Sequence, residues 1–103
     1  MLVYIVVTQE PMGGKDKIKV FSNRKNSEQH QIWLTQRYKV DACIIERELL
    51  NLSLKVFIVA TEELYGGENN VSMFSTGREA VDYIYYIENT LNLKCLYFEK
   101  YIE

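Results

Sequence analysis

Residues 2–22, LVYIVVTQEPMGGKDKIKVFS, recur in altered form as residues 55–75, KVFIVATEELYGGENNVSMFS. Sliding the sequence by 53 positions aligns residues 3–50 with residues 56–103 without a gap. Ten of these 48 pairs are identical, whereas average residue usage would give roughly three. The chain therefore contains an internal duplication, and this duplication decides the predicted fold.

The pattern within each copy predicts two strands, a helix and a third strand. The runs YIVVT and FIVAT are rich in β-branched and aromatic residues, as strands are. Gly-Gly follows each run, as a tight hairpin turn requires, and IKVFS and VSMFS are the predicted return strands. If the glycines form the loop itself, Val7 lies opposite Val20; a longer loop is the alternative. The third strands are predicted within VDACIIERELL and LKCLYFEKYIE.

Each helix is predicted to begin just after the Phe-Ser pair that ends each return strand. Ser22 and Ser75 fall where an N-cap is needed, although Thr76 and Glu79 also have the spacing of a capping box. An apolar stripe predicts the buried face of the second helix: Ala80, Ile84, Ile87 and Leu91. Its counterpart in the first helix is more polar: Ser27, Gln31, Leu34 and Tyr38.

A unit of about 50 residues with one helix buries too little apolar surface to be stable alone. We therefore predict a single α+β domain over residues 1–103, in which repeat units 1–50 and 54–103 share one core about an approximate twofold axis. The favoured arrangement is one mostly antiparallel six-stranded sheet with both helices on one face. Exchange of strands between the halves, or between two chains, is the alternative.

The composition is that of a globular protein, with 48% hydrophobic and 25% charged residues. A net charge of −2 carries no signal for nucleic acid or membrane binding by the whole chain. The apolar start MLVYIVV has no basic residue before it, so it predicts a strand and not a signal peptide. Cys43 and Cys95 lack metal-ligand spacing, and we expect buried, reduced thiols in a cytoplasmic protein.

The unit of an apolar strand, a turn, (I/V)xxFS, a helix and a strand resembles small uncharacterised domains of bacteriophages and prophages. The matching pieces are residues 3–8 with 18–22, and residues 56–61 with 71–75. The helix of such domains usually carries an acidic residue and an alanine, as Glu79 and Ala80 do, whereas the first copy has Asn26 and Ser27. The resemblance implies a phage-encoded accessory protein that binds a host component, and it brings no catalytic residues.

Large side chains off the predicted stripe mark a candidate protein-binding surface. They are Ile32, Trp33, Tyr85 and Tyr86, which lie roughly 100° or more from the stripe at 3.6 residues per turn. The alternative is that the first helix is rotated and buries Ile32 and Trp33. Homodimerisation through the same side chains is a further reading, because tyrosine also lines interfaces between copies.

Charge differs between the copies. Residues 1–50 carry eight basic and six acidic side chains, and residues 51–103 carry four and eight. A candidate nucleic-acid-binding surface therefore lies in the first copy: Lys15, Lys17, Lys19, Arg24 and Lys25. The alternative is a solvated strand edge whose lysines discourage aggregation.

Catalytic motifs are missing from the sequence, and we expect no enzyme, cofactor or metal. The only histidine, His30, is expected on the surface without a role. Glu46 and Glu99 are equivalent and would form paired carboxylates if an axis brought them together, although strand-edge glutamates are usually solvated. The sequence favours a non-enzymatic phage-type protein that binds and modulates, mainly by inhibition, a host macromolecule such as a defence factor. Nucleic-acid binding is the first alternative, and a small carboxylate enzyme is the second.

Overall fold

A computed structural model gives the fold and describes residues 1–8, 18–39, 41–49, 54–61 and 71–103. These residues form strands and helices in the order ββαβ–ββαβ, which confirms the α+β class. The elements are β1 (Leu2–Thr8), β2 (Ile18–Phe21), α1 (Arg24–Tyr38), β3 (Ala42–Glu48), β4 (Lys55–Thr61), β5 (Val71–Phe74), α2 (Gly77–Thr90) and β6 (Cys95–Tyr101). Each strand of the second half begins and ends 53 positions after its counterpart, as β1 and β4 show.

The chain divides into two compact units: Met1–Leu52 with Tyr101–Glu103, and Ser53–Lys100. Unit 1 contains an antiparallel sheet of order β2-β1-β3, and unit 2 contains one of order β5-β4-β6. The strands therefore form two three-stranded sheets and not the one sheet of six strands that the sequence predicts. The prediction of one domain with a shared core stays a prediction.

The hairpin register differs from the predicted one by two residues. β1 pairs with β2 so that Val7 lies opposite Ile18 and Ile5 opposite Val20. In unit 2, Ala60 correspondingly lies opposite Val71. A shift of two residues returns every side chain to the same face, so the alternation of apolar residues cannot distinguish the two registers. The predicted Gly-Gly turns lie outside the described residues.

Helix α1 covers one face of the unit 1 sheet. Leu34 is fully buried and packs with Val6 and Phe21, and the half-buried Ala42 and Ile44 of β3 surround this cluster. Helix α2 buries Ala80 and Ile87 at the positions that correspond to Ser27 and Leu34. These buried positions fix which side of each helix points outward.

The helix N-caps are Asn23 and Thr76, one residue after the predicted Ser22 and Ser75. The Asn23 side chain accepts a hydrogen bond from the N–H of Asn26 at 3.2 Å. Thr76 accepts one from the N–H of Glu79 at 3.3 Å, which matches the capping-box spacing in the sequence. The serine prediction is wrong because Asn23 and Thr76 stand one residue nearer the first helical N–H groups and are equally good caps.

The segment Tyr101–Glu103 extends the sheet of unit 1. Ile102 pairs in parallel with Val20 of β2, and the N–H of Glu103 donates to the Val20 carbonyl at 2.8 Å. The Glu103 carboxylate also lies 3.5 Å from the Lys19 ammonium. Residues predicted to belong to the second repeat therefore cover the outer edge of β2 in unit 1.

Candidate functional site: the outward faces of the two helices

Both helices present the same positions to solvent. Leu34 is 0% exposed, whereas the neighbouring Trp33 is 40% exposed and Ile32 is more exposed still. The alternative of a rotated first helix is therefore wrong, since that rotation would bury Trp33 in place of Leu34. Two predicted stripe residues, Tyr38 and Leu91, are exposed because they lie at the ends of their helices, where the stripe leaves the sheet.

We define the α1 face as His30, Ile32, Trp33 and Arg37, and the α2 face as Val81, Asp82, Tyr85 and Tyr86. Tyr85 is 72% exposed and Tyr86 is 57% exposed. Val81 is also exposed and lies one helical turn before Tyr85, so the two side chains are surface neighbours. Asp82 likewise lies one helical turn before Tyr86, so these two side chains are also surface neighbours. The α2 face is thus an apolar surface with one carboxylate beside it.

An unbroken series of ring contacts supports the α1 face. The ring of buried Phe21 lies 5.4 Å from that of His30, and His30 stacks on Trp33 at 5.5 Å with an interplanar angle of 20°. Tyr38 meets Trp33 edge to face at 5.7 Å, and the Arg37 guanidinium lies 6.0 Å from the Tyr38 ring. Trp33 is therefore exposed but held in place.

His30 is half-buried and not fully exposed as the sequence predicts, and the expectation that it has no functional role stays a prediction. Its ring connects the core residue Phe21 to the exposed Trp33. In unit 2 the corresponding pair, Phe74 and Tyr83, makes the same contact at 5.2 Å. The sequence carried a signal for this contact, because the 53-residue offset aligns His30 with Tyr83. Both side chains are rings and both lie in the second turn of their helices.

The two helices carry opposite charge. Helix α1 contains three basic residues and one acidic residue, which gives +2: Arg24, Lys25, Arg37 and Glu28. Helix α2 contains one basic and three acidic residues, which gives −2: Arg78, Glu79, Asp82 and Glu88. Arg37 and Asp82 are exposed, and within the described part of the chain neither makes an ion pair.

The predicted basic surface is only partly described, since Lys15 and Lys17 lie outside the described residues. Lys19 pairs with Glu103, and Arg24 lies 3.4 Å from the Glu46 carboxylate and 3.8 Å from that of Glu28. Lys25 is exposed. Two of the three described cations are therefore already beside carboxylates.

The predicted carboxylate pair lies on two different strands, each residue with a cation of its own unit. Glu46 on β3 faces Arg24, and Glu99 on β6 lies 2.9 Å from the Lys55 ammonium. Both carboxylates are exposed, as in ordinary surface ion pairs. Among the described residues, no cluster of three or more histidine, cysteine or carboxylate side chains has the arrangement of a metal site.

The two thiols are more accessible than the sequence predicts. Cys43 is exposed and Cys95 is half-buried, because both lie on outer strands of their sheets. Although the Cys43 side chain is exposed overall, partial desolvation of its sulfur raises the pKa of the thiol. Partial burial, and secondarily the negative charge of Glu88, raises the pKa of Cys95.

Comparison with known proteins gives no relative: no protein-family model, curated protein or solved structure matches the chain. Within the described residues, neither helix has the length and apolar character needed to cross a membrane. The functional assignment therefore depends on the surfaces of the two helices.

Proposed function

We propose that this chain is a non-catalytic accessory protein that binds and modulates a host macromolecule, namely a host protein, through the α1 and α2 faces. The observation that carries the proposal is the exposure of large apolar side chains at equivalent positions of both helices. Ile32 and Trp33 in unit 1, and Tyr85 and Tyr86 in unit 2, lie away from the buried side of their helices.

The residue types on these faces favour a protein partner. Trp, Tyr and Arg supply most of the residues that dominate binding energy at protein interfaces. The α1 face contains Trp33 and Arg37, and the α2 face contains two tyrosines. Grouped exposed apolar side chains with polar neighbours are also typical of interaction sites.

The ring contacts around Trp33 support the same conclusion. His30 stacks on one side of the indole and Tyr38 meets it edge to face, so the side chain has few alternative rotamers. Ordering a mobile side chain costs about 0.5–1.5 kcal/mol on association. A Trp that is already ordered in the free protein avoids most of this cost, as an interface anchor should.

The biological setting follows from the resemblance to phage domains. It suggests a protein made in the cytoplasm of an infected cell, where binding would inhibit or redirect a host protein such as a defence factor. No catalytic residues come with the resemblance, so binding alone is the proposed activity.

The proposal includes the architecture: two ββαβ repeats that share one core about an approximate twofold axis. Ile5 and Val6 are consecutive and both buried, as are Ile58 and Val59. Because consecutive strand residues point to opposite faces, we expect both faces of β1 and of β4 to be covered, and one helix can cover only one of them. A single urea transition of the full chain, seen equally by Trp33 fluorescence and circular dichroism, is expected; two separated transitions would contradict a shared core.

The binding function is tested by affinity purification of the tagged full chain from its native cell with quantitative mass spectrometry. We expect one enriched protein whose recovery falls at least about tenfold in Trp33→Ala and in Tyr86→Ala, because loss of a hot-spot side chain costs about 2 kcal/mol or more.

Leu54→Ala is the matched control, because Leu54 is a highly exposed apolar residue outside both helices. This variant should recover the partner at the wild-type level. Full recovery by Trp33→Ala and Tyr86→Ala, with unchanged circular dichroism, would overturn the proposal.

Nucleic acid is the alternative partner, through Lys15, Lys17, Lys19, Arg24 and Lys25. Binding of this kind should weaken steeply as salt rises. The ion pairs of Lys19 and Arg24 count against it, and an absence of DNA and RNA binding at low salt would remove it. A small enzyme that uses Glu46 and Glu99 is less favoured, since each carboxylate already faces a cation.

A further inference from the structure

We infer that the chain also binds a second copy of itself, with the α1 face of one copy against the α2 face of the other. In this contact the helices run antiparallel, and Arg37 of one copy lies opposite Asp82 of the other. This contact uses the same two faces as the proposed host partner, so the two partners would compete for them, and its test measures association between copies of this chain alone.

Opposite charge on equivalent helices is the first support. The α1 face carries the cation Arg37 and the α2 face carries the carboxylate Asp82, although both helices occupy the same place in their ββαβ units. Two α1 faces would repel each other, and so would two α2 faces. Only the pairing of an α1 face with an α2 face is attractive, and each copy carries one face of each kind.

The exposed apolar side chains supply the centre of this contact. Ile32 and Trp33 lie in the middle of α1, and Tyr85 and Tyr86 lie at the corresponding positions of α2. Aromatic side chains at the centre with charges around them match the usual anatomy of a protein interface. Charge then decides which faces meet and in which direction.

The direction follows from the residues on either side of the centre. In a parallel arrangement Lys25 would face Arg78, its equivalent, and the two cations would repel. In an antiparallel arrangement Arg37, four residues after Trp33, meets Asp82, four residues before Tyr86. Each lies about 6 Å from the centre at a rise of about 1.5 Å per residue, so the two side chains are at the same level.

Sedimentation velocity of the full chain at low salt tests the inference. We expect a dimer that forms as concentration rises, and a dissociation constant raised about tenfold or more in Arg37→Asp and in Asp82→Arg, since facing like charges oppose association. An equimolar mixture of the two variants should dimerise again. In this mixture Arg37 of the Asp82→Arg variant meets Asp82 of the Arg37→Asp variant, which restores the native pair.

Two further variants sharpen the test. The double variant Arg37→Asp with Asp82→Arg should dimerise like the wild type, whereas Gln36→Arg, another charge change on the exposed side of α1, should retain most of the dimer. A wild-type chain that stays monomeric, or a mixture that does not dimerise, would overturn the inference. Either result leaves the host-partner experiment unaffected.

Discussion

Ser22 donates two hydrogen bonds to one atom, the backbone oxygen of Glu103. Its N–H lies 2.8 Å and its hydroxyl 3.2 Å from that oxygen. The residues are 81 positions apart in the sequence. Ser22 therefore holds the segment Tyr101–Glu103 in unit 1, whereas the sequence predicts that this serine caps the first helix.

Replacing Ser22 with alanine removes the hydroxyl bond but leaves the N–H bond. Because the bond is solvent-exposed, we expect urea denaturation to show a loss of about 0.5–1 kcal/mol in the free energy of unfolding. Thr35→Ala is the control, since the exposed Thr35 hydroxyl donates to the Gln31 carbonyl within α1 and joins no distant segments among the described residues. That variant should be neutral or slightly stabilised, and an equal loss in both variants would argue against the anchoring role.

Leu34 and Ile32 lie on opposite sides of α1 and should respond very differently to truncation. Leu34→Ala opens a cavity beside Val6 and Phe21, so we expect a loss of about 2–5 kcal/mol in the free energy of unfolding. Ile32→Ala removes an exposed side chain and should change it by less than about 0.5 kcal/mol. Similar losses in both variants, measured by urea denaturation, would contradict the orientation of α1.

Thr8 and Thr61 are equivalent buried residues whose hydroxyls have no hydrogen-bond partner among the described residues. Valine has nearly the same shape and no polar atom to bury. We expect Thr8→Val and Thr61→Val each to raise the free energy of unfolding by about 1 kcal/mol, because an unsatisfied buried hydroxyl is costly. A lower melting temperature in both variants would show that these hydroxyls do have partners.

The two thiols should titrate above an ordinary cysteine. Because partial burial raises the pKa of Cys43 and Cys95, the midpoint of the iodoacetamide rate against pH should lie higher in the folded chain than in urea. Glu88→Gln should lower that midpoint for Cys95 alone, since the Glu88 charge contributes to its raised pKa. Mass spectrometry separates the two sites, and an unchanged Cys95 profile in Glu88→Gln would contradict this assignment.

Much of the local structure could be predicted because each strand and helix has a counterpart 53 positions away, so two sequence patterns could be compared for each element. The ββαβ order follows from runs such as YIVVT and FIVAT, and the buried side of α2 from the spacing of Ala80 and Ile87. The outward position of Trp33 could not be predicted in the same way. An α1 that buries Leu34 and an α1 rotated to bury Trp33 would each place apolar side chains on the sheet. Only the fit of these side chains against β1 decides between the two orientations.

Features that depend on contacts distant in the sequence were missed. The bonds between Ser22 and Glu103 join the first repeat to residues of the second, which no local pattern records. The two-residue register shift leaves every strand residue on the same face, so side-chain periodicity does not detect it. The contact of His30 with Phe21 joins α1 to β2, so it depends on how the helix packs on the sheet.

The pairing of Glu103 with Val20 and Ser22 has a consequence for how the chain folds during its synthesis on the ribosome. Translation delivers β2 long before residues 102 and 103, so the nascent polypeptide leaves backbone groups of Val20 and Ser22 without their final partners. An open strand edge is prone to pair with another molecule. Unit 1 thus gains its last edge contacts only when synthesis of unit 2 is complete, and until then the outer edge of β2 can pair with another molecule.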